Sequence, residues 1–192
     1  SLSDSLQLQA LTCSAWLTAA QAWEVADAFP PWDFARVQAF VALFSRIVDV
    51  ENVTMAAFDK MWPEEQREAL HRLGPLNVLS PLQPDRDYSL DLRSYEQREY
   101  AKILIRLAVD EPGENWKDET YRHARGQPPI PGWLLPEPWT GPDESLHGEG
   151  GPRRTGILTL EYVTDPQRGC QPNWAARRAL LKRCLGGAQR PP

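Results

Sequence analysis

A stretch of this chain nearly repeats itself thirty residues later. Residues 32–49 lie over residues 62–79, with Trp32 on Trp62, Ala39 on Ala69, Leu43 on Leu73 and Val48 on Val78. Phe40 falls on the similar Leu70. A fixed period of this size marks helical units, none of which can bury its apolar stripe without a neighbour. It constrains architecture rather than chemistry.

Apolar periodicity extends the helical reading along the first half of the chain. Leu8, Leu11, Ala15, Leu17 and Ala20, with Trp16 and Trp23, predict a helix over 4–28 that Pro30-Pro31 ends. Asp33 is placed to cap a second helix, whose stripe runs Phe34, Val37, Phe40, Val41, Phe44, Ile47, Val48. Asn52 is placed to cap a short third one, with Met55, Phe58 and Met61 on one side. Pro63 followed by Glu64 and Glu65 opens a fourth, which Gly74-Pro75 closes. The proline- and aspartate-rich run from Pro75 to Asp91 predicts loop. Ser94 and Gln97 fit a capping box for a fifth helix reaching Val109, with Tyr100, Ile103, Leu104, Leu107 and Ala108 inward.

These elements predict a mainly α fold, a helical bundle or a short superhelix of helical hairpins, with a proline-rich wrap and a small C-terminal β element. The expected core holds Trp16, Trp32, Phe40, Phe44, Ile47, Trp62, Leu70, Ile103, Leu104 and Leu107. Residues 1–110 form the helical-hairpin domain in this reading. Residues 111–154 wrap it, with Trp116, Tyr121, Trp133 and Trp139 plugging its grooves and a mobile stretch at 143–154. Residues 155–192 add a strand over 157–163 and a basic helix over 174–185, capped by Asn173 and packed on the same domain through Trp174, Leu181 and Leu185. A lone strand is unstable, so this one pairs either with residues 86–92 or with another chain.

Composition narrows the class. Apolar content of 42% and eight tryptophans in 192 residues exclude wholesale disorder. A net charge of −5 speaks against a nucleic-acid partner. No run reaches the roughly 18–20 apolar residues a membrane span needs. Cys13, Cys170 and Cys184 show no CxxC spacing, which suits idle thiols in a reducing compartment and favours the cytoplasm over the exterior. A Cys170–Cys184 bridge is the alternative. Asn52-Val53-Thr54 is a glycosylation sequon, although Asn52 reads better as a cap.

The chemistry-bearing residues form few constellations. His71, His123 and His147 lie far apart, and the sequence has no glycine-rich phosphate loop, nucleophile elbow or metalloprotease helix. Asp85, Asp87, Ser89 and Glu96 match oxygen positions of an EF-hand loop, with Asp91 at the backbone position. Leu90 stands where that loop needs glycine, and Arg86 and Arg93 bring positive charge into it. The run Pro128-Pro-Ile-Pro131 has the form of a polyproline ligand. Arg177, Arg178, Lys182 and Arg183 make the C-terminal helix basic on an acidic chain.

Trp32-Asp33-x-x-Arg36, then Arg46-Ile47-Val48-Asp49, Asn52 and Trp62, resembles the domain of unknown function numbered 4476 over about residues 24–73. That family carries an aromatic-Asp-x-x-Arg helix, then Arg-Ile-Val-Asp-Pro-x-Asn and a second aromatic-led helix. This chain departs in having Trp at both aromatic positions, Val50 for the proline, and Arg67 one place late. The resemblance implies paired helical hairpins. It also implies that Asp33 and Asn52 cap helices and that Arg36 or Arg46 bridges to Asp49. It carries over no activity, cofactor or catalytic residue.

The resulting expectation is a non-enzymatic protein–protein interaction module, a scaffold or adaptor. The surface expected to dock a partner joins the free edge of strand 157–163 with Arg177, Arg178, Lys182 and Arg183, and the second choice is the surface around Trp133 and Trp139. The rival readings are an enzyme using a Cys/His pair and a weak calcium module through Asp85–Glu96.

Overall fold

In the computed structural model, which describes residues 7, 8, 12, 14–140 and 151–186, the chain divides after Gln83 into two units, each built on its own apolar interior. Cys13, His147, residues 143–150, the start of the expected first helix and the side chains of Arg183, Cys184 and Leu185 lie outside the described residues.

The first unit is helical. Helix α1 (Ala19–Asp27) begins at Thr18, whose hydroxyl accepts from Gln21 N while Gln21 Oε1 accepts from Thr18 N. This reciprocal cap satisfies two donors that a helix start leaves open. The helix expected over 4–28 is therefore broken before Thr18, with residues 7, 8 and 12 helical ahead of the break. Leu17 is extended, exchanging backbone hydrogen bonds with Arg46 and Val48. Helix α2 (Ala35–Leu43) runs into a 3-10 turn at 44–46, and a short α3 (Val53–Ala56) follows. Helix α4 (Pro63–Leu73) starts at the proline that sets φ for its first turn, and the brief α5 (Pro75–Val78) follows Gly74. Trp23 meets Phe40 edge-on at 6.4 Å, and Phe40 meets Phe44 likewise at 6.2 Å. Val37, Leu43, Val53, Phe58 and Ala69 fill the rest.

The second unit overturns the mainly helical expectation. Among the described residues about 52% are helical and 13% are in strands, a mixed α/β arrangement with a three-stranded antiparallel sheet. Strands β1 (Arg86–Asp91), β2 (Trp116–Arg122) and β3 (Ile157–Tyr162) lie in the order β1-β3-β2. Tyr88 pairs with Leu160 and Leu90 with Leu158, so their side chains share the buried face. Asp87, Ser89 and Asp91 alternate onto the other face. Across β2, Tyr121 pairs with Leu158 and Arg122 with Ile157, while a bulge between Lys117 and Thr120 leaves Asp118 at φ 50°.

Helix α6 (Tyr95–Asp110) covers the buried face, starting where Ser94 Oγ accepts from Gln97 N. Gln97 Oε1 caps Asp91 N instead of closing the expected box. Leu104 and Leu107 are buried as expected, and Ile103 is half-buried. Helix α7 (Trp174–Gly186) begins at Asn173, whose Oδ1 accepts from Ala176 N. It turns Arg177 and Leu180 inward rather than Trp174 and Leu181, because Arg177 has a buried carboxylate to meet. Part of the segment expected to wrap the helical core, Trp116–Arg122, is strand β2 instead, and its other aromatics pack within this unit. Tyr121 stacks on Trp133 at 5.7 Å, Trp133 meets Trp139 edge-on at 5.9 Å, and Trp139 is buried.

Three core expectations fail together. Trp16, Trp32 and Trp62 are 66%, 69% and 56% exposed. For Trp16 and Trp62 the reason is that the indole lies over a guanidinium, Arg46 at 5.7 Å and Arg36 at 5.1 Å, rather than in an apolar pocket.

Candidate interaction surface

Strand β3 is the middle strand, hydrogen-bonded on both sides, so the free edge expected there does not exist. Arg177 is equally unavailable. Its Nε donates to Glu111 Oε1 at 2.6 Å and its Nη2 to Glu111 Oε2 at 2.9 Å, with both side chains fully buried. Glu111 also accepts from Tyr162 Oη at 2.8 Å and Asn173 N at 2.9 Å. Burial by itself would raise the pKa of Glu111, but the bonds from Arg177 and Tyr162 outweigh it and hold the carboxyl below its ordinary range. Burial, then the hydrogen bond to Glu111, pushes the Tyr162 phenol far up, so it stays a donor. A carboxylate with four donors converging on it is a fastener between β3, α6 and α7. On α7, Arg178 and Lys182 do face solvent.

The acidic run is not a calcium loop. Residues 86–91 are extended, which sends Asp87, Ser89 and Asp91 to one face of a sheet instead of around an ion. Asp85 accepts from Thr164 N, and Asp91 holds Arg93 at 2.7 Å. Among the described residues no group of three acidic, His or Cys side chains could hold a metal ion. Cys170 is a free, buried thiol on a recess of about 330 Å3 lined also by Glu114, Trp116, Lys117, Asp118 and Glu119. None of these supplies the base a Cys/His mechanism needs. His71 is exposed on α4, and His123 is exposed with its ring edge-on to Tyr121.

The residues that do converge belong to the first unit. Arg36, on α2, sends Nε and Nη2 to the two oxygens of Glu65 at 3.0 and 2.8 Å, and Nη1 to Asp27 at 2.9 Å. Its guanidinium centre lies 5.1 Å from the Trp62 ring and 5.7 Å from that of Trp23. Burial disfavours the charge, yet the bonds to Glu65 and Asp27 prevail and raise the pKa of Arg36. Glu65 is buried and also accepts from Trp62 N at 3.0 Å, so one carboxylate caps α4 and clamps α2. The resemblance had Arg36 or Arg46 reaching Asp49. Instead Asp49 accepts from Ala19 N at 2.7 Å and from Asn52 Nδ2 at 3.1 Å, so Asn52 holds Asp49 and caps nothing.

In front of Arg36, the chain enters α2 through two consecutive non-glycine residues in left-handed conformation, Asp33 at φ 57° and Phe34 at φ 53°. Asp33 makes no helix cap; its carbonyl accepts from Gln38 Nε2. Such backbone costs on the order of 1–2 kcal/mol per residue, less for Asp, whose short polar side chain tolerates it. The strained turn leaves the Trp32 indole 69% and Phe34 37% exposed. No reading of the sequence singled out this turn, and the only available signal was Pro30-Pro31 followed directly by an aromatic-Asp-aromatic triplet.

No protein-family model, curated protein or solved structure matches this chain. No helix among the described residues is long and apolar enough to cross a membrane.

Proposed function

We propose that this protein is a non-enzymatic interaction module, a scaffold or adaptor, whose docking surface is the tryptophan-rich face of the first unit around Trp32 and Trp62. One observation carries the reading: backbone strain at Asp33-Phe34 is spent holding Trp32 in solvent. Strained, exposed aromatic positions recur where a partner later covers them, and tryptophan is the side chain most enriched at the centres of protein interfaces. Arg36 holds Trp62 from beneath, so the indole is pre-organised and loses little entropy when covered. The likeness of residues 24–73 to domain 4476 belongs to the same proposal, since Trp32, Arg36 and Trp62 are among its motif residues.

The test is affinity capture from the native source with the full chain and with a Trp32→Ser, Trp62→Ser double variant. Loss of the specific partner with a nearly unchanged melting midpoint is the expected outcome. The companion variant Arg178→Glu, Lys182→Glu is expected to retain the partner. The reverse pattern would move the interface to α7, and retention by both variants would overturn both surfaces.

A further inference from the structure

The chain leaving β2 carries Pro128, Pro129 and Pro131, all three exposed. A proline ring holds φ near about −65°, and the residue before a proline is pushed out of the helical region into an extended one. Gln127, Pro128 and Ile130 each precede a proline. These restrictions favour polyproline II geometry through the run, with three residues per turn and a rise of about 3.1 Å per residue. Residues 128–130 accordingly lie in no helix, strand or turn.

The run is held at both ends and in its middle. Gln127 N donates to Ala124 O at 3.3 Å across Gly126 at φ 82°, and Trp133 N donates to Ile130 O at 3.3 Å across Gly132 at φ 64°. Both turns place glycine where a positive φ is required, and Pro131 stands at the position of the second turn that proline prefers. Ile130 N donates to Tyr121 O at 2.9 Å, and Trp133 stacks on the Tyr121 ring at 5.7 Å. The segment is therefore ordered before any partner arrives, which removes much of the entropy cost of docking.

The threefold period decides which side chains a partner meets. It puts Pro128 and Pro131 on one edge of the run, Pro129 on a second, and Ile130 with Gln127 on the third. Ile130 is half-buried and its N–H is spent on β2, so the third edge turns inward and the two proline edges face solvent. Pro128 and Pro129 have no N–H, and their carbonyls accept no hydrogen bond among the described residues. An exposed ridge of pyrrolidine rings with open carbonyls suits an aromatic-lined groove, where rings pack on rings and a groove donor meets a carbonyl.

We propose that Pro128, Pro129 and Pro131 form a docking ridge for a partner domain with an aromatic-lined, polyproline-reading groove of the WW type. This ridge lies in the second unit and is independent of the tryptophan-rich face of the first. The outward edges select the groove. An SH3-type groove takes x-Pro pairs and would need Ile130 beside Pro131 on the contact side, with Arg125, three residues before Pro128, as a charged anchor. With Ile130 turned to β2, the prolines themselves make the contact.

The experiment adds the unlabelled full chain to a 15N-labelled WW domain selective for Pro-Pro-aliphatic-Pro peptides and follows the amide and indole resonances of that domain. Saturable shifts centred on the aromatic residues of its groove are expected. Pro128→Ala with Pro131→Ala should weaken binding by about tenfold or more. The substituted side chains are exposed, and near-ultraviolet circular dichroism checks that Trp133 keeps its stack on Tyr121. Trp32→Ser with Trp62→Ser should bind the WW domain like the parent, so failure of this ridge and failure of the tryptophan-rich face are read separately. Absence of saturable shifts overturns the proposal, as does equal binding by the Pro128, Pro131 variant. Tighter binding by an SH3 domain selective for Arg-x-x-Pro-x-x-Pro peptides, lost in Arg125→Glu, would overturn the inward placement of Ile130 and the proposal with it.

Discussion

Asp33 is where a single backbone angle carries the most consequence. At φ 57° it occupies a region that glycine enters freely and other residues enter at a cost. Asp33→Gly is expected to raise the free energy of unfolding by about 0.5–1 kcal/mol, the relief of strain less the extra entropy of an unfolded glycine. Urea unfolding would read it, and a lowered midpoint would mean that the turn is unstrained or that the Asp33 side chain matters. Glu111 supplies the second prediction at this scale. Its pKa is depressed in the folded protein, against about 4.3 in an unfolded chain. Its contribution is therefore complete above the unfolded value and is lost as pH falls through the folded one. The parent should lose stability on acidification below about pH 4.3. Glu111→Gln, weaker already at neutral pH because the neutral amide cannot offset the buried Arg177 charge as the carboxylate does, should lose less over that window.

Among the elements, the join between β2 and β3 is the least tolerant of change. Gly156, at φ 98°, runs directly against the Tyr121 ring, where an added Cβ would collide with the phenol. Tyr121 cannot swing aside, because it is buried, hydrogen-bonded to Thr155 O and stacked on Trp133. Gly156→Ala combines a disfavoured φ with a clash and should cost about 2–4 kcal/mol, measured as a fall in the unfolding midpoint. The proline-rich wrap depends on the same residue, since Ile130 N donates to the Tyr121 backbone carbonyl at 2.9 Å and Trp133, backed by Trp139, stacks on its ring. A variant with unchanged stability would mean that Tyr121 does not anchor the wrap.

On the scale of the molecule, the two units are satisfied separately. The Arg36–Glu65–Asp27 cluster lies wholly within residues 1–83, and the sheet, α6, α7 and the Glu111–Arg177 pair wholly within residues 84–192. Each unit is expected to unfold cooperatively when expressed alone, the first with a helical circular-dichroism spectrum and the second with mixed helix and strand. A second unit that melts without a cooperative transition would contradict this.

The sequence alone determined the features that local stereochemistry controls. Ser94 and Asn173 cap the helices they were expected to cap, Pro63 opens α4, and Ile157–Tyr162 is a strand, because each signal acts within a few residues of itself. Strand β1 was legible only as a possible partner for residues 157–163, since flanking prolines and aspartates made the segment look like loop. Strand β2 was not legible, because the bulge at Asp118 shifts Trp116 and Tyr121 out of simple alternation. Tertiary structure alone decided which tryptophans stay in solvent and which cation is buried. Arg36 meets Glu65 across 29 residues and Arg177 meets Glu111 across 66. An ion pair depends on distance in space, and a helix shows the same amphipathic pattern whether its arginine faces water or a buried carboxylate.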